Sequence, residues 1–202
     1  MTVIVAARLK KGGIGLAADS LTTAGWEKEY ADRTKLWSAT PYALGAAGCV
    51  RTSQVIRHWT SWPKWRPDED IDIEAFLVRS IVPAIRSAVK DTDRARPRTG
   101  ARPPFGAARR AGRGRTRIDI ELVLAWGDNL AVVSGNGAVV VPKSGRCAIG
   151  SGYAEALGHL GDQGPWSMSQ IIEAARRATL TNLGCDGPIS YMNTTDLQVE
   201  HA

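Results

Sequence analysis

Apolar and polar positions alternate with two different periods along this chain, and the periods sort it into blocks. Two apolar runs, Val3 to Ala7 and Ile14 to Ala18, flank Lys10-Lys11-Gly12-Gly13, and the second ends on Asp19. A Gly-Gly pair supplies the positive φ angles of a tight turn, so this stretch predicts a hairpin of two strands. A strand starting at Thr2 leaves no room for a targeting peptide and holds the terminus inside a sheet. Ser20 to Gly25 predicts a short strand and turn, Trp26 to Arg33 a polar loop, and Tyr42 to Ala47 a buried strand closed by Gly48.

The period then lengthens. Residues 49–62, with Val50, Val55, Ile56 and Trp59, predict an irregular helix broken at Trp62-Pro63. Trp59, Trp62 and Trp65 lie close in sequence; an exposed aromatic contact site is one reading, and a packed helix end or a subunit interface is the favoured one. Asp70 to Lys90 is the clearest helix, with Ile73, Phe76, Leu77, Ile81, Ala84, Ile85 and Ala88 forming one stripe by pairs three or four residues apart. Pro83 inside it should kink or break it.

Strands return at Ile118–Trp126, Leu130–Ser134 and Ala138–Val141, divided by the turn signals Gly127-Asp128-Asn129 and Gly135-Asn136-Gly137. A helix is expected over Tyr153–Leu160 with Ser151 as its N-cap. Another, capped by Ser167 or Ser169, carries Ile171, Ile172, Ala175 and Leu180. Strands over Ile189–Asn193 and Leu197–Glu200 close the chain. Strands at 2–47 and 118–150, with helices at 49–90 and 151–182, argue for an α+β fold rather than alternating βαβ units.

At 202 residues and 44% hydrophobic content the chain predicts one soluble globular domain, residues 1–202. No apolar run approaches the ~20 residues of a membrane span. Cys49, Cys147 and Cys185 are scattered without metal-ligand spacing, which implies reduced cytoplasmic thiols, two of them core fillers, and no metal. One segment differs in kind. Residues 94–117 hold nine arginines among Pro, Gly and Ala, with no acid between Asp93 and Asp119. The formal net charge of +6 becomes −3 without them, so the basic character is local. Such a segment predicts a flexible insert within the domain. Phe105 is its only aromatic residue and it has no nucleic-acid-binding motif, which favours a solvated loop over a nucleic-acid grip.

The candidate chemistry starts at Thr2. Removal of Met1 would leave a free α-amine beside the threonine hydroxyl. An α-amine titrates near pH ~8, so it can accept the hydroxyl's own proton and make Thr2 a self-activated nucleophile.

Thr2-Val3-Ile4-Val5, Ala17-Ala18-Asp19, Thr34-Lys35-Leu36-Trp37, Leu44-Gly45-Ala46-Ala47-Gly48 and Ala148-Ile149-Gly150-Ser151-Gly152 occur in this order. The set resembles the proteasome β-subunit family of N-terminal nucleophile (Ntn) hydrolases, and within it the HslV-like and phage-borne branches. The resemblance runs from Thr2 to about residue 92 and from about residue 118 to the end. It implies a four-layer αββα sandwich, two antiparallel sheets between helix layers, in a self-compartmentalising homo-oligomeric ring. It implies a threonine peptidase acting on unfolded polypeptide, with an ATPase unfoldase as a family-level partner and no cofactor. Asp19 and Lys35 would form the ion pair beneath Thr2, lowering the pKa of its amine and hydroxyl. Gly48 would offer its N–H to the oxyanion, and Ser151 would bond the terminal amine. The family's further aspartate falls on Asn182 when aligned by Gly187-Pro188-Ile189, and on Asp186 when aligned by the acid itself. Two other functions fit parts of the pattern: an Ntn amide hydrolase for a small molecule, and a non-catalytic ring or anion-binding module using the arginine-rich insert.

Overall fold

The computed structural model of the chain describes residues 2–24, 27–30, 35–66, 72–94 and 118–202. The arginine-rich insert lies outside these residues, apart from Arg94 at a helix end.

The N-terminal hairpin forms as its turn chemistry requires. Strand β1 (Ile4–Arg8) pairs antiparallel with β2 (Ile14–Ala18), Ile4 opposite Ala18, and Gly12 and Gly13 take φ of 89° and 78°. This hairpin is the centre of a five-stranded sheet. Strand β10 (Arg146–Ile149) joins β1 on one side, while β11 (Ser190–Asn193) and then β12 (Glu200–His201) follow β2 on the other. The second five-stranded sheet runs β5 (Leu36–Ala39), β6 (Tyr42–Gly48), β7 (Ile120–Trp126), β8 (Asn129–Val133), β9 (Val139–Val140). Every pairing in both sheets is antiparallel.

Side-chain alternation along these strands builds three apolar interfaces, and so four layers. Val3, Val5 and Ala7 face α4 (Tyr153–Leu160) and α5 (Met168–Thr181), meeting Leu160, Ile171 and Ala175. Their neighbours Ile4 and Ala6 point the other way and meet Leu36, Ala47 and Val123 of the second sheet. That sheet's far face, with Leu44, Leu122 and Leu124, packs on Ile56 of α1 (Val50–Trp59) and on Phe76, Leu77 and Ile85 of the long helical segment after it. Helix, sheet, sheet, helix is the αββα sandwich the sequence led us to expect.

Three expectations need correction. The polar stretch 26–33 contains strand β4 (Glu27–Tyr30), paired with β3 (Leu21–Ala24) in a separate two-stranded ribbon. Such a ribbon satisfies its amides by pairing and needs no apolar alternation to exist. The long helical segment begins at Ile73, capped by Asp72, which accepts the Ala75 N–H at 3.3 Å. It passes from α2 (Ile73–Phe76) through a π-helical turn, Leu77–Ile81, into α3 (Val82–Arg94). The Val82 N–H donates to the Leu77 carbonyl, five residues back. Pro83 lacks an N–H and its ring crowds the carbonyl four residues earlier; the wider turn makes that room, so the helix changes pattern there instead of ending. At the C-terminus Leu197 adopts φ 56° in a turn, which delays the last strand to Glu200–His201. The tryptophans follow the packed reading: Trp62 and Trp65 pack at the core edge against Tyr42 and Trp126, and of the three Trp59 is the one largely exposed.

Candidate active site

Asp19 follows β2 directly and is wholly buried. A buried carboxylate must be matched by donors, and three are present. Its Oδ1 accepts the Val3 N–H at 2.8 Å and the Lys35 ammonium at 2.7 Å; its Oδ2 accepts the Asp186 N–H at 3.2 Å. Lys35 stands just before β5, where Leu36 inserts into the inter-sheet core and fixes its backbone. Only 11% of the Lys35 side chain is exposed. Burial pulls its pKa below the ordinary 10.5, and the charge and hydrogen bond of Asp19 oppose that shift. The result is a cation held rigidly under the first strand.

Thr2 heads that strand and is 6% exposed. Its backbone N–H donates to Ser151 Oγ at 3.2 Å, and its carbonyl accepts the Gly152 N–H at 3.3 Å. Gly150 makes the approach feasible. It has φ 87°, and a Cβ there would lie 2.2 Å from the Thr2 carbonyl oxygen. The N-cap of α4 is Gly152, with no side-chain cap bond, so the expected capping role of Ser151 is not observed. The physical reason is competition: the Ser151 hydroxyl is turned to Thr2.

Two further residues complete the surroundings of Ser151. Asn182 donates from Nδ2 to the Ser151 backbone carbonyl at 2.9 Å and to Glu155 at 3.3 Å. Asp186 accepts the Gly187 N–H on Oδ1 at 2.7 Å while its own N–H serves Asp19. Asn182 thus supports the serine loop, and Asp186 supports the aspartate through its main chain. Cys185, expected as a core filler or free thiol, is buried with Sγ 3.7 Å from Ser151 Oγ. Burial raises its pKa, which keeps it a neutral thiol.

Gly48 ends β6 with φ 126°; a Cβ there would meet the Asp119 carbonyl oxygen at 2.7 Å and the Ile120 Cα at 2.9 Å. It lines a cleft of about 560 Å³ with Thr2, Gly150 and Ser151. Asp119, Glu121, Ser134 and Asn136 form another wall, which sequence reading missed. Thr2, Asp19, Lys35 and Ser151 are therefore joined around one strand end, and Gly48 shares the cleft with Thr2. Among the described residues, no three His, Cys, Asp or Glu side chains are grouped to hold a metal ion, and no helix is long and apolar enough to cross a membrane.

This architecture is the Ntn-hydrolase fold of proteasome β-subunit-like proteins, matching the resemblance read from the sequence. Among solved structures, a BPH protein of Thiobacillus denitrificans in complex with epoxomicin shares 16% identity, covering 97% of this chain and 99% of its own, at a TM-score of 0.69. Anbu (ancestral beta-subunit) from Yersinia bercovieri shares 14% identity over 98% and 86% of the two chains, at 0.64. The HslV of Trypanosoma brucei shares 17% over 95% and 98%, at 0.59. At these identities the likeness is one of fold. No protein-family model and no curated protein matches the sequence.

Proposed function

We propose that this chain is a threonine peptidase of proteasome/HslV type, active once Met1 is removed, working in the cytoplasm as a self-compartmentalising ring. The observation that carries the reading is the buried Asp19–Lys35 pair, 2.7 Å apart, which also anchors the Val3 amide next to the candidate nucleophile. A buried ion pair is costly to maintain and is a weak source of stability, so its place beneath Thr2 favours a chemical role.

Thr2 Oγ1 attacks the carbonyl carbon of the scissile bond as its proton passes to the α-amine. The Gly48 N–H donates to the resulting oxyanion, and the Lys35 cation lowers the cost of the developing alkoxide. The C–N bond then breaks, and the amine's extra proton goes to the leaving nitrogen. Water attacks the acyl ester, gives a proton to the same amine, and releases the acid while Thr2 Oγ1 recovers its hydrogen. Ser151 and Asn182 hold the amine's surroundings, and Asp186 holds Asp19. No step requires a metal or organic cofactor. Unfolded polypeptide is the substrate, with an ATPase unfoldase as the partner that delivers it.

The test is Thr2→Ala. It should assemble as the parent does yet hydrolyse neither peptides nor unfolded protein; retained hydrolysis contradicts the reading. One observation favours a second reading. The cleft volume, about 560 Å³, lies within the ~300–1,000 Å³ of small-molecule sites. Cleavage of small amides but not of polypeptides would select an Ntn amide hydrolase instead.

A further inference from the structure

We propose that Glu121 is a positioning residue, its carboxylate tethering the loop that holds Thr2 in place; this rests on Thr2 being the nucleophile. The pleat of β7 sets where Glu121 points. Val123 and Ala125 face the first sheet, within the inter-sheet core. Glu121 is the next position outward on that face, opposite Ala47 and one register step from Gly48. Its side chain therefore leaves the second sheet toward the first, where β10 ends at Ile149 and the chain turns through Gly150 and Ser151. There its Oε2 accepts the Gly150 N–H at 3.2 Å.

Three consecutive residues of that loop bear on Thr2. Gly150 packs against its carbonyl, Ser151 Oγ accepts its N–H at 3.2 Å, and the Gly152 N–H donates to its carbonyl at 3.3 Å. A glycine at φ 87° has little intrinsic preference to hold its peptide plane, so the groups bonded to it set that plane. Side chains do so at both ends of the Gly150-Ser151 pair. Glu121 accepts from the Gly150 N–H, and Asn182 donates to the Ser151 carbonyl at 2.9 Å. An ionised carboxylate accepting from a backbone N–H makes a bond roughly twice as strong as a neutral one. The Ser151 hydroxyl must stay aimed at the α-amine while that amine gains and loses a proton. A loop released at Gly150 lets the hydroxyl swing away. The role requires an acceptor oxygen with the reach of Glu121, and asks nothing of the charge of the substrate.

Three substitutions separate reach from charge. Glu121→Gln keeps the length and an acceptor oxygen but no charge. Glu121→Asp keeps the charge and draws the carboxylate back by about 1.5 Å, one C–C bond, out of hydrogen-bond range of Gly150. Glu121→Ala removes both. The readouts are kcat and KM for a fluorogenic peptide and the rate of labelling by a peptide epoxyketone, with urea unfolding to establish that each variant is folded in the assay. Loss of a charge-assisted bond at an exposed site should lower kcat and the labelling rate about tenfold in Glu121→Asp and Glu121→Ala. KM should stay within about twofold, and Glu121→Gln should keep both rates within about threefold of the parent. When the parent labels, any of four results overturns the role of Glu121 and leaves the nucleophile intact: parent rates in Glu121→Ala, parent rates in Glu121→Asp, Glu121→Gln as slow as Glu121→Ala, or a loss confined to KM. If the parent hydrolyses no peptide, the labelling rates alone decide the order. A parent that does not label overturns both readings.

Discussion

Lys35→Met should destabilise the fold by about 3 kcal/mol, because it strands the Asp19 carboxylate in the interior. Removing one member of a buried pair costs about 3–5 kcal/mol. The low end applies here, since Asp19 would keep its bonds from the Val3 and Asp186 N–H groups. Asp19→Ala should cost more, about 5 kcal/mol, since it strands the ammonium and orphans both amides at about 1–3 kcal/mol each. The double variant carries no stranded charge, so its loss should fall short of the sum by about 2–3 kcal/mol. Urea unfolding measures this: with a slope of about 2–3 kcal/mol per molar, Lys35→Met should lower the midpoint by about 1–1.5 M. A loss under about 0.5 kcal/mol, or strict additivity in the cycle, would show that the pair is solvated and would refute the reasoning.

Alkaline pH provides a related check. The folded Lys35 releases its proton at a lower pH than the unfolded chain's 10.5, so the unfolded state binds more protons in that window. Stability should rise with pH through it and fall as pH drops through the lowered pKa; in Lys35→Met this component of the urea-midpoint slope should vanish, and unchanged slopes would contradict it. Gly150→Ala places a Cβ 2.2 Å from the Thr2 carbonyl oxygen at φ 87°, so it should displace Thr2 and abolish epoxyketone labelling; normal labelling would show that the loop relaxes freely. Brief iodoacetamide treatment of the native chain should modify Cys49, which is exposed with its pKa lowered by hydrogen bonds at the start of α1. Cys147, pushed up to about 12 by burial, and buried Cys185 should resist until urea is added; peptide mapping reads the order.

The parts of the structure legible in the sequence are those fixed by local chemistry or strong alternation. The Gly12-Gly13 turn can only be adopted cheaply by glycine, and Val3, Val5 and Ala7 against Ile4 and Ala6 announce a strand buried on both faces. Ser167 declares its capping box through Gln170 three residues on. What stayed hidden depends on tertiary competition. Ser151 has the sequence signature of an N-cap, yet its hydroxyl is taken by a residue 149 positions away. The β4 ribbon lacks the apolar pattern that marks a strand, and the π turn before Pro83 has no composition of its own. Asn182 and Asp186 could not be separated by spacing because both are used, one by its side chain and the other by its main chain. Glu121 and Asp119 become visible only when the β7 pleat is followed past the core to the cleft.

Intact mass before and after incubation with a peptide epoxyketone tests Thr2 most directly, since that electrophile requires both the hydroxyl and the free amine of an N-terminal threonine. The chain should lack Met1 and gain one inhibitor per copy, with no gain in Thr2→Ala. A chain that retains Met1, or one that is trimmed and never labels, would contradict Thr2 as the working nucleophile.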